Sequence, residues 1–307
     1  MLNSDQVSNG PAVDVSIIVC THDRGEDLRE VLAHLGRVRV PPGWRVELLM
    51  IDNGSSDGTR DLVEGTTLAN LELRYVFAPE GGKCAAFNKG VALSSGTVLL
   101  LTDDDVHVPP DWVEAMCRPI LTGETEVVQG GIRLAPHLER PWLKGVLRRW
   151  VAALEDPRWP PEGLVGANVA LSRRAFDLAG PYDVRLGPGA AGFFEDTTLG
   201  WALERAGFSK LFRPDIAVEH HFRADRLTPK SFMAAARRMA ASRVVVDRDR
   251  DPRALRPPLT ALVRELPGFA FRSLTQLAHL LTDGQPDHGF MSHYYRVRLW
   301  RERRRGA

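Results

Sequence analysis

Apolar runs alternate with stretches of helical periodicity through the first third of the chain. "VSIIVC" (15–20), "VELLMI" (46–51), "LRYVF" (73–77) and "VLLL" (98–101) read as strands. They are short, apolar and bounded by turn residues. The first is followed by a helical pattern over about 25–36, the others by "DGTRDLVEG", "KCAAFNKGVAL" and "PPDWVEAMCRPIL". Such alternation predicts βαβ units: a mostly parallel, Rossmann-like α/β sheet with helices on both faces. Right-handed crossovers then collect the loops after the strands at one edge, where open α/β sheets bind ligands. The polar clusters "THDRGE", "DNGSSDGT", "PEGGKCAAFN" and "DDD" all fall there.

From about 125 to 222 the pattern changes to "EVVQGGIRL", a connection rich in tryptophan and proline around Trp142, Trp150 and Trp159, and "GLVGANVALSRRAFDLAG". The three tryptophans could stack on a sugar, although large aromatics more often fill a core. After Thr228 the sequence turns helical, with "KSFMAAARRMAASRVV" and "LPGFAFRSLTQLAHLLT" separated by the charged, proline-bearing "DRDRDPRALRPP".

At 307 residues the chain can bury a large core, and 40 basic against 39 acidic residues leave a net charge of +1. That balance gives no reason to expect a nucleic-acid partner. Cys20, Cys84 and Cys117 are scattered and odd in number, which argues for a reduced compartment and against a zinc site. "MLNSDQVSNG" lacks the features of a signal peptide, and no apolar run nears the roughly 20 residues of a membrane span. The expected location is the cytoplasm, with the inner face of the membrane as a second place.

The strand "VLLL" runs into Asp103, Asp104 and Asp105. Three carboxylates beside a core need a counter-charge, and a hard divalent cation such as Mg²⁺ or Mn²⁺ supplies one while sharing its other positions with phosphates. Asn53 to Glu64 resembles a calcium loop, but a strand precedes it where an EF-hand has a helix. A βα turn capped by Ser56 or Asp57 suits it better. Neither glycine-rich phosphate cradle, G-x-x-x-x-G-K-[ST] or G-x-G-x-x-G, is present after the first strand. Glu195 and Asp196 open a helical pattern after several glycines, where acids suit a helix N-terminus or serve as a general base. "VEHHF" offers His220 and His221 at the end of another β-rich run.

In order and spacing, "VSIIVCTHDR", "LLMIDNGSSDGT", "GGKCAAFNKGVALSSGTVLLLTDDD", "GANVALSRRAFDLAGPYDVRLG", "EDTTLGWALERAG" and "VEHHFRADRLT" resemble the inverting glycosyltransferases of family 2, which have the GT-A fold. The likeness covers roughly residues 14–228. It implies a flexible start (1–13), a GT-A domain (14–227) with a nucleotide half to about 105 and an acceptor half from about 106, and a helical extension with a basic tail (228–307). By the same likeness Thr21, His22, Asp23, Arg24, Asp52, Lys83, Asp103 and Asp104 hold the nucleotide, and Asp104, Asp105 and His220 the metal. Gly166, Ala167 and Asn168 line the floor where donor sugar meets acceptor, and Asp196 with Glu195 supplies the base.

The implied reaction moves one sugar from a nucleotide-diphosphate sugar, with uridine diphosphate favoured, to a glycan, lipid-linked or small-molecule acceptor. Absence of the Q-x-x-R-W motif and of a long membrane-embedded region argues against a processive synthase. A sugar nucleotidyltransferase would carry a glycine-rich first loop, and a D-x-D-x-T phosphatase would have threonine at His107. A catalytically silent nucleotide-sugar-binding or scaffold protein is the alternative from another class. The arginines of "HYYRVRLWRERRRGA" suggest either a solvated basic end or contact with an anionic membrane surface.

Overall fold

The computed structural model describes residues 14–282 and 284–306; the expected flexible start, residues 1–13, lies outside them. The first half follows the predicted alternation. Strands β1 (Val15–Thr21), β2 (Val46–Asp52), β3 (Glu72–Phe77) and β4 (Val98–Asp103) are separated by helices α1 (Gly25–Leu35), α2 (Thr59–Glu64) and α3 (Gly82–Leu93). All pairings among these four strands are parallel.

After β4 come β5 (Val106–His107), α4 (Trp112–Leu121), β6 (Val127–Leu134), α5 (Val146–Trp150), β7 (Asn168–Ser172), α6 (Arg173–Ala179), α7 (Glu195–Arg205) and β8 (Lys210–His220). The eight-stranded sheet has the order β3-β2-β1-β4-β7-β6-β8-β5. β7 runs antiparallel to both β4 and β6, and β5 antiparallel to β8. The sheet is therefore mixed beyond β4, where the chain leaves the βαβ pattern.

Alternate residues of the buried strands serve two cores. Ile17, Val19, Leu48, Met50 and Leu100 pack with Leu28 and Leu32 of α1 and Trp112 and Met116 of α4. Ile18, Leu49, Ile51, Leu99 and Leu101 pack on the other face with Phe87 of α3, Phe176 of α6 and Leu199 of α7. Both faces are covered, which is why these strands read as unbroken apolar runs.

Asn168 joins the two halves of the sheet. Its Nδ2 donates to Gly131 O (2.8 Å) and Ile216 O (2.9 Å), and its Oδ1 accepts from Trp112 Nε1 at 2.9 Å. Gly130 leaves the room for it: a Cβ there would stand 2.1 Å from Nδ2. β6 also shifts register against β8 between Gly130 and Gly131.

Helices α8 (Pro229–Arg250), α9 (Leu259–Thr282) and α10 (His288–Gly306) form the C-terminal extension. Phe232 of α8 and Phe290 and Met291 of α10 bury with Leu138, Leu147, Val151 and Phe222 in a third core. Trp142 and Trp150 pack against Phe232, whereas Trp159 is exposed. The basic tail is a helix whose charges are largely paired: Arg296 with Glu265, Arg298 with Glu302 and Arg303 with Asp247. These pairs pin the helix to the rest of the chain, while Arg301 and Arg304 stay exposed. No helix among the described residues is long and apolar enough to cross a membrane.

Replacing Asn168 by Ala leaves one donor and two carbonyls buried without their partner. We expect Asn168→Ala to lose about 3 kcal/mol of stability, read as a lower urea midpoint than that of wild type; an unchanged midpoint would contradict this role.

Candidate functional site

β1, β2 and β4 end side by side, and their loops are tied together by side chains. Asp23, at φ 50°, accepts from Ser56 N at 2.7 Å while its own N–H donates to Ser55 Oγ at 2.9 Å. Asp57 accepts from Gly25 N (3.0 Å) and from Thr59 N (2.9 Å), which ties the start of α1 to that of α2; the N-cap position of α2 is Gly58, not the expected Ser56 or Asp57. Asp52 is buried, its Oδ1 taking Ser55 N and its Oδ2 the Tyr75 hydroxyl, each at 2.7 Å. His22 and Asp23 stay exposed at the rim.

The three aspartates after β4 diverge in their partners. Asp103 pairs with Lys83 Nζ. Asp104 makes no ion pair among the described residues, and burial, then the neighbouring Asp105 charge, raises its pKa to about 6. The residue as a whole keeps some solvent contact. Asp105 lies against Arg24 Nη2 (3.2 Å) and His220 Nε2 (3.3 Å). Burial pushes its pKa upward, but the hydrogen bond and charge of His220, with Arg24 and Arg226, hold it well below the usual carboxylate range.

The histidine pair divides its duties. His220 is buried, with Nδ1 3.1 Å from Val151 O. That carbonyl can only accept, so Nδ1 carries the donating proton and the ring's other nitrogen, Nε2, is turned toward the Asp105 carboxylate. His221 instead stacks on His107 (centroids 3.7 Å apart), away from this pair.

At the end of β1, Thr21 Oγ1 is buried without a hydrogen bond of standard geometry, although it lies near enough to Asp104 to lower that carboxyl's pKa. The donor set fits a divalent ion in part. Among the described residues no three His, Cys, Asp or Glu side chains converge as a metal site, so Asp105 and His220 would need oxygens from elsewhere.

The second acidic pair opens α7 behind Phe194, which adopts the left-handed region at φ 75°. α3 positions the loop leading there: Asn88 exchanges two 2.9 Å hydrogen bonds with the Tyr182 backbone, and Lys83 N donates to Pro188 O at 3.0 Å. Gly187 (φ 75°) lets Glu195 approach, since a Cβ would stand 3.1 Å from its Cδ. Gly166 N donates to Asp196 Oδ2 at 2.8 Å, and a Cβ on Gly166 would come within 2.6 Å of Oδ1.

Burial, then repulsion from Asp196, pushes Glu195 up to about 8. Burial likewise raises Asp196, whose ionised form Lys83 and the Gly166 N–H favour. Burial lowers the pKa of Lys83, but Asp103, Asp196 and Glu195 more than reverse this. One ammonium thus serves both acid clusters.

The three residues expected at the floor of the site, Gly166, Ala167 and Asn168, are all buried: Ala167 O accepts from Thr102 Oγ1, and every polar atom of the Asn168 side chain is used within the scaffold. Conversely, sequence reasoning passed over Arg226, Tyr182 and Arg238. Arg226 and Arg238 line an open cleft with Trp150, Phe193 and Phe232. A basic residue six positions after His220 was the signal for Arg226; Tyr182 and Arg238 carried none.

The architecture matches that of known GT-A proteins. A mannosyltransferase from Pyrobaculum calidifontis, in complex with GDP-Man and Mn²⁺, superposes with a TM-score of 0.57 at 17% identity, covering 94% of this chain and 70% of that one. TarS of S. aureus, residues 1–349 with UDP-GlcNAc, gives 0.52 at 16% identity over 75% and 66%. Among curated proteins, the succinoglycan biosynthesis protein ExoM of Rhizobium meliloti is 28% identical over 66% of this chain and 65% of its own length. The glycosyltransferase AglE of Haloferax volcanii is 29% identical over 38% and 39%. An N-acetylglucosaminyl-diphospho-decaprenol L-rhamnosyltransferase of Mycobacterium tuberculosis is 24% identical over 67% and 75%. The chain thus spans 65% and 39% of the length of the first two. The sequence model of glycosyl transferase family 2 matches residues 16–177, more than half of the chain. With the sheet order and the two acid clusters in place, the chain belongs to glycosyl transferase family 2, a family of transferase enzymes.

Proposed function

We propose that this protein transfers one sugar from a nucleotide-diphosphate sugar to an acceptor hydroxyl, inverting the anomeric carbon, with Asp196 as the base. The observation that carries this reading is Lys83, placed between Asp103 at the end of β4 and the Glu195–Asp196 pair. It joins an acid cluster suited to a nucleotide with one suited to proton transfer.

In this account residues 14–105 form the nucleotide half and 106–227 the acceptor half, with the extension beginning at 228. Thr21 to Arg24, Asp52 and Lys83 surround the nucleotide. Asp52 has both oxygens engaged, so it orders the loop at 53–58 and offers the base only its remaining lone pairs. Asp103 and Asp104 face the ribose and diphosphate. A uridine nucleotide is the first choice, supported by the UDP-GlcNAc and UDP in TarS complexes, with guanosine next from the GDP-Man neighbour. Asp105 and His220, with Asp104 beside them, would hold a Mn²⁺ or Mg²⁺ ion. When bound, such an ion offsets negative charge on the diphosphate.

The chain's own groups account for the proton and the geometry. Asp196, raised by burial, is a stronger base than a solvated carboxylate and takes the proton of the acceptor hydroxyl. The freed oxygen pair attacks the anomeric carbon from the face opposite the diphosphate, whose bond to that carbon breaks with its electrons leaving on the diphosphate. The Gly166 N–H holds the base in place, and Glu195, protonated to about pH 8, leaves Asp196 as the charged member. Arg24 and Arg226 add positive charge beside Asp105.

Asp196→Asn is expected to lower kcat at least about a hundredfold while leaving the dissociation constant for donor unchanged. Loss of donor binding together with activity would make Asp196 a structural acid, and unchanged transfer would remove it from the reaction. Unaltered binding with no transfer or donor hydrolysis in wild type, across nucleotide sugars, would favour the scaffold alternative.

Glu195 also predicts a pH dependence of stability. Its folded pKa of about 8 lies above its ordinary 4.5, so between those values the folded chain holds a proton that the unfolded chain has lost. Stability therefore falls as pH rises through that window. Melting temperatures from pH 5 to 9 should show Glu195→Gln gaining on wild type as pH increases, up to about pH 8; parallel curves would contradict the shift.

A further inference from the structure

α9 carries its apolar side outward. Leu259, Val263, Leu266, Phe271, Leu274, Leu277 and Leu281 are each between 45% and 78% exposed. Pro267, Ala270 and Ala278 are exposed among them. At 100° per residue these ten positions occupy one face about 140° wide along a helix about 36 Å long. Thr260 is the single polar residue within that sector. The opposite side meets α10: Glu265 binds His293 (2.8 Å) and Arg296 (2.7 Å), and Phe269 stacks on Phe290. The helix is thus firmly seated on the protein with its polar groups inward and its apolar face uncovered.

The exposed charge beside this face is mostly basic, with Asp251 of the preceding segment as an acid among it. Arg253 and Arg256 precede α9, and Arg264 lies beside its apolar sector; all three are exposed. Trp300 Nε1 donates to Pro258 O at 3.1 Å, which brings the end of α10 against the start of α9. Arg304 covers the Trp300 ring and Arg301 is its exposed neighbour. No ion pair with a carboxylate is formed by any of these five arginines among the described residues, and Glu265 is the one acid of α9. Phosphates of an anionic lipid surface supply the counter-charge that these arginines lack among the described residues.

We propose that α9 is an interfacial helix that lies in the surface of an anionic lipid bilayer. Its apolar face enters the acyl boundary, while Arg253, Arg256, Arg264, Arg301 and Arg304 bind lipid phosphates. This places the contact on α9, not on the paired arginines of the basic tail. It is independent of the transfer reaction, because vesicle binding requires neither donor nor Asp196.

The test is flotation of the full chain with phosphatidylcholine vesicles that contain or lack phosphatidylglycerol. Wild type should float with the anionic vesicles at low salt, and Phe271→Asp/Leu274→Asp should lower the partition coefficient at least about tenfold. Val263→Ser/Leu266→Ser, in the other half of the face, should also weaken flotation, and Arg301→Ala/Arg304→Ala should weaken it mainly at low salt. Circular dichroism checks that the variants keep their helix content, which exposed positions should preserve. Wild type that fails to float would overturn the proposal. So would apolar variants that float like wild type, or a dimer of wild type that these variants disperse without any vesicle binding.

Discussion

The site depends on a single ammonium group. Lys83 stands between Asp103 and the Glu195–Asp196 pair, and without it acids from distant parts of the chain would repel one another in a crowded space. A buried charge is tolerated when paired, and here the pairing also fixes geometry. The glycines before α3 and the Asn88 contacts to Tyr182 bring the α7 acids to the same lysine that meets the β4 carboxylate. Arg24 repeats the arrangement on the other side, joining the β1 loop to Asp105. The loops at the sheet edge are therefore organised by charge as much as by backbone.

The parts of the molecule legible in the sequence are those governed by local period and spacing. "VSIIVC" and "VLLL" announce strands because both of their faces are buried, and the resemblance implies that Asp103 to Asp105 and Asp196 share one site. Partnering across long separations was not legible. Asn168 looks like a polar residue available to a ligand until Trp112, Gly131 and Ile216 are seen to consume its side chain. The basic tail looks free until Glu265 and Asp247, residues far away in the chain, are seen beside it. In α9 the sequence reads as helical, but the face turned to the protein depends on α10 and cannot be read from period alone.

Two surfaces with different chemistry thus meet in one chain. The cleft beside α5 and α8 is lined with arginine and aromatic side chains and adjoins the segment leading to α7. α9 presents leucines and phenylalanine, flanked by arginines. α10 connects them, packing with α5 and α8 on one side and α9 on the other. An acceptor held at a lipid surface would need such a link between the transferring site and the bilayer.

The central claim is that the carboxylates after β4 receive a nucleoside diphosphate together with a divalent ion. Calorimetric titration of uridine, guanosine and thymidine diphosphates, with and without Mn²⁺, into wild type and Asp105→Ala tests it most directly. The account predicts that at least one nucleotide binds wild type in a Mn²⁺-dependent manner and that Asp105→Ala weakens this binding at least about tenfold. Nucleotide binding that is indifferent to Mn²⁺ and to Asp105, or no binding of any of the three, would contradict it.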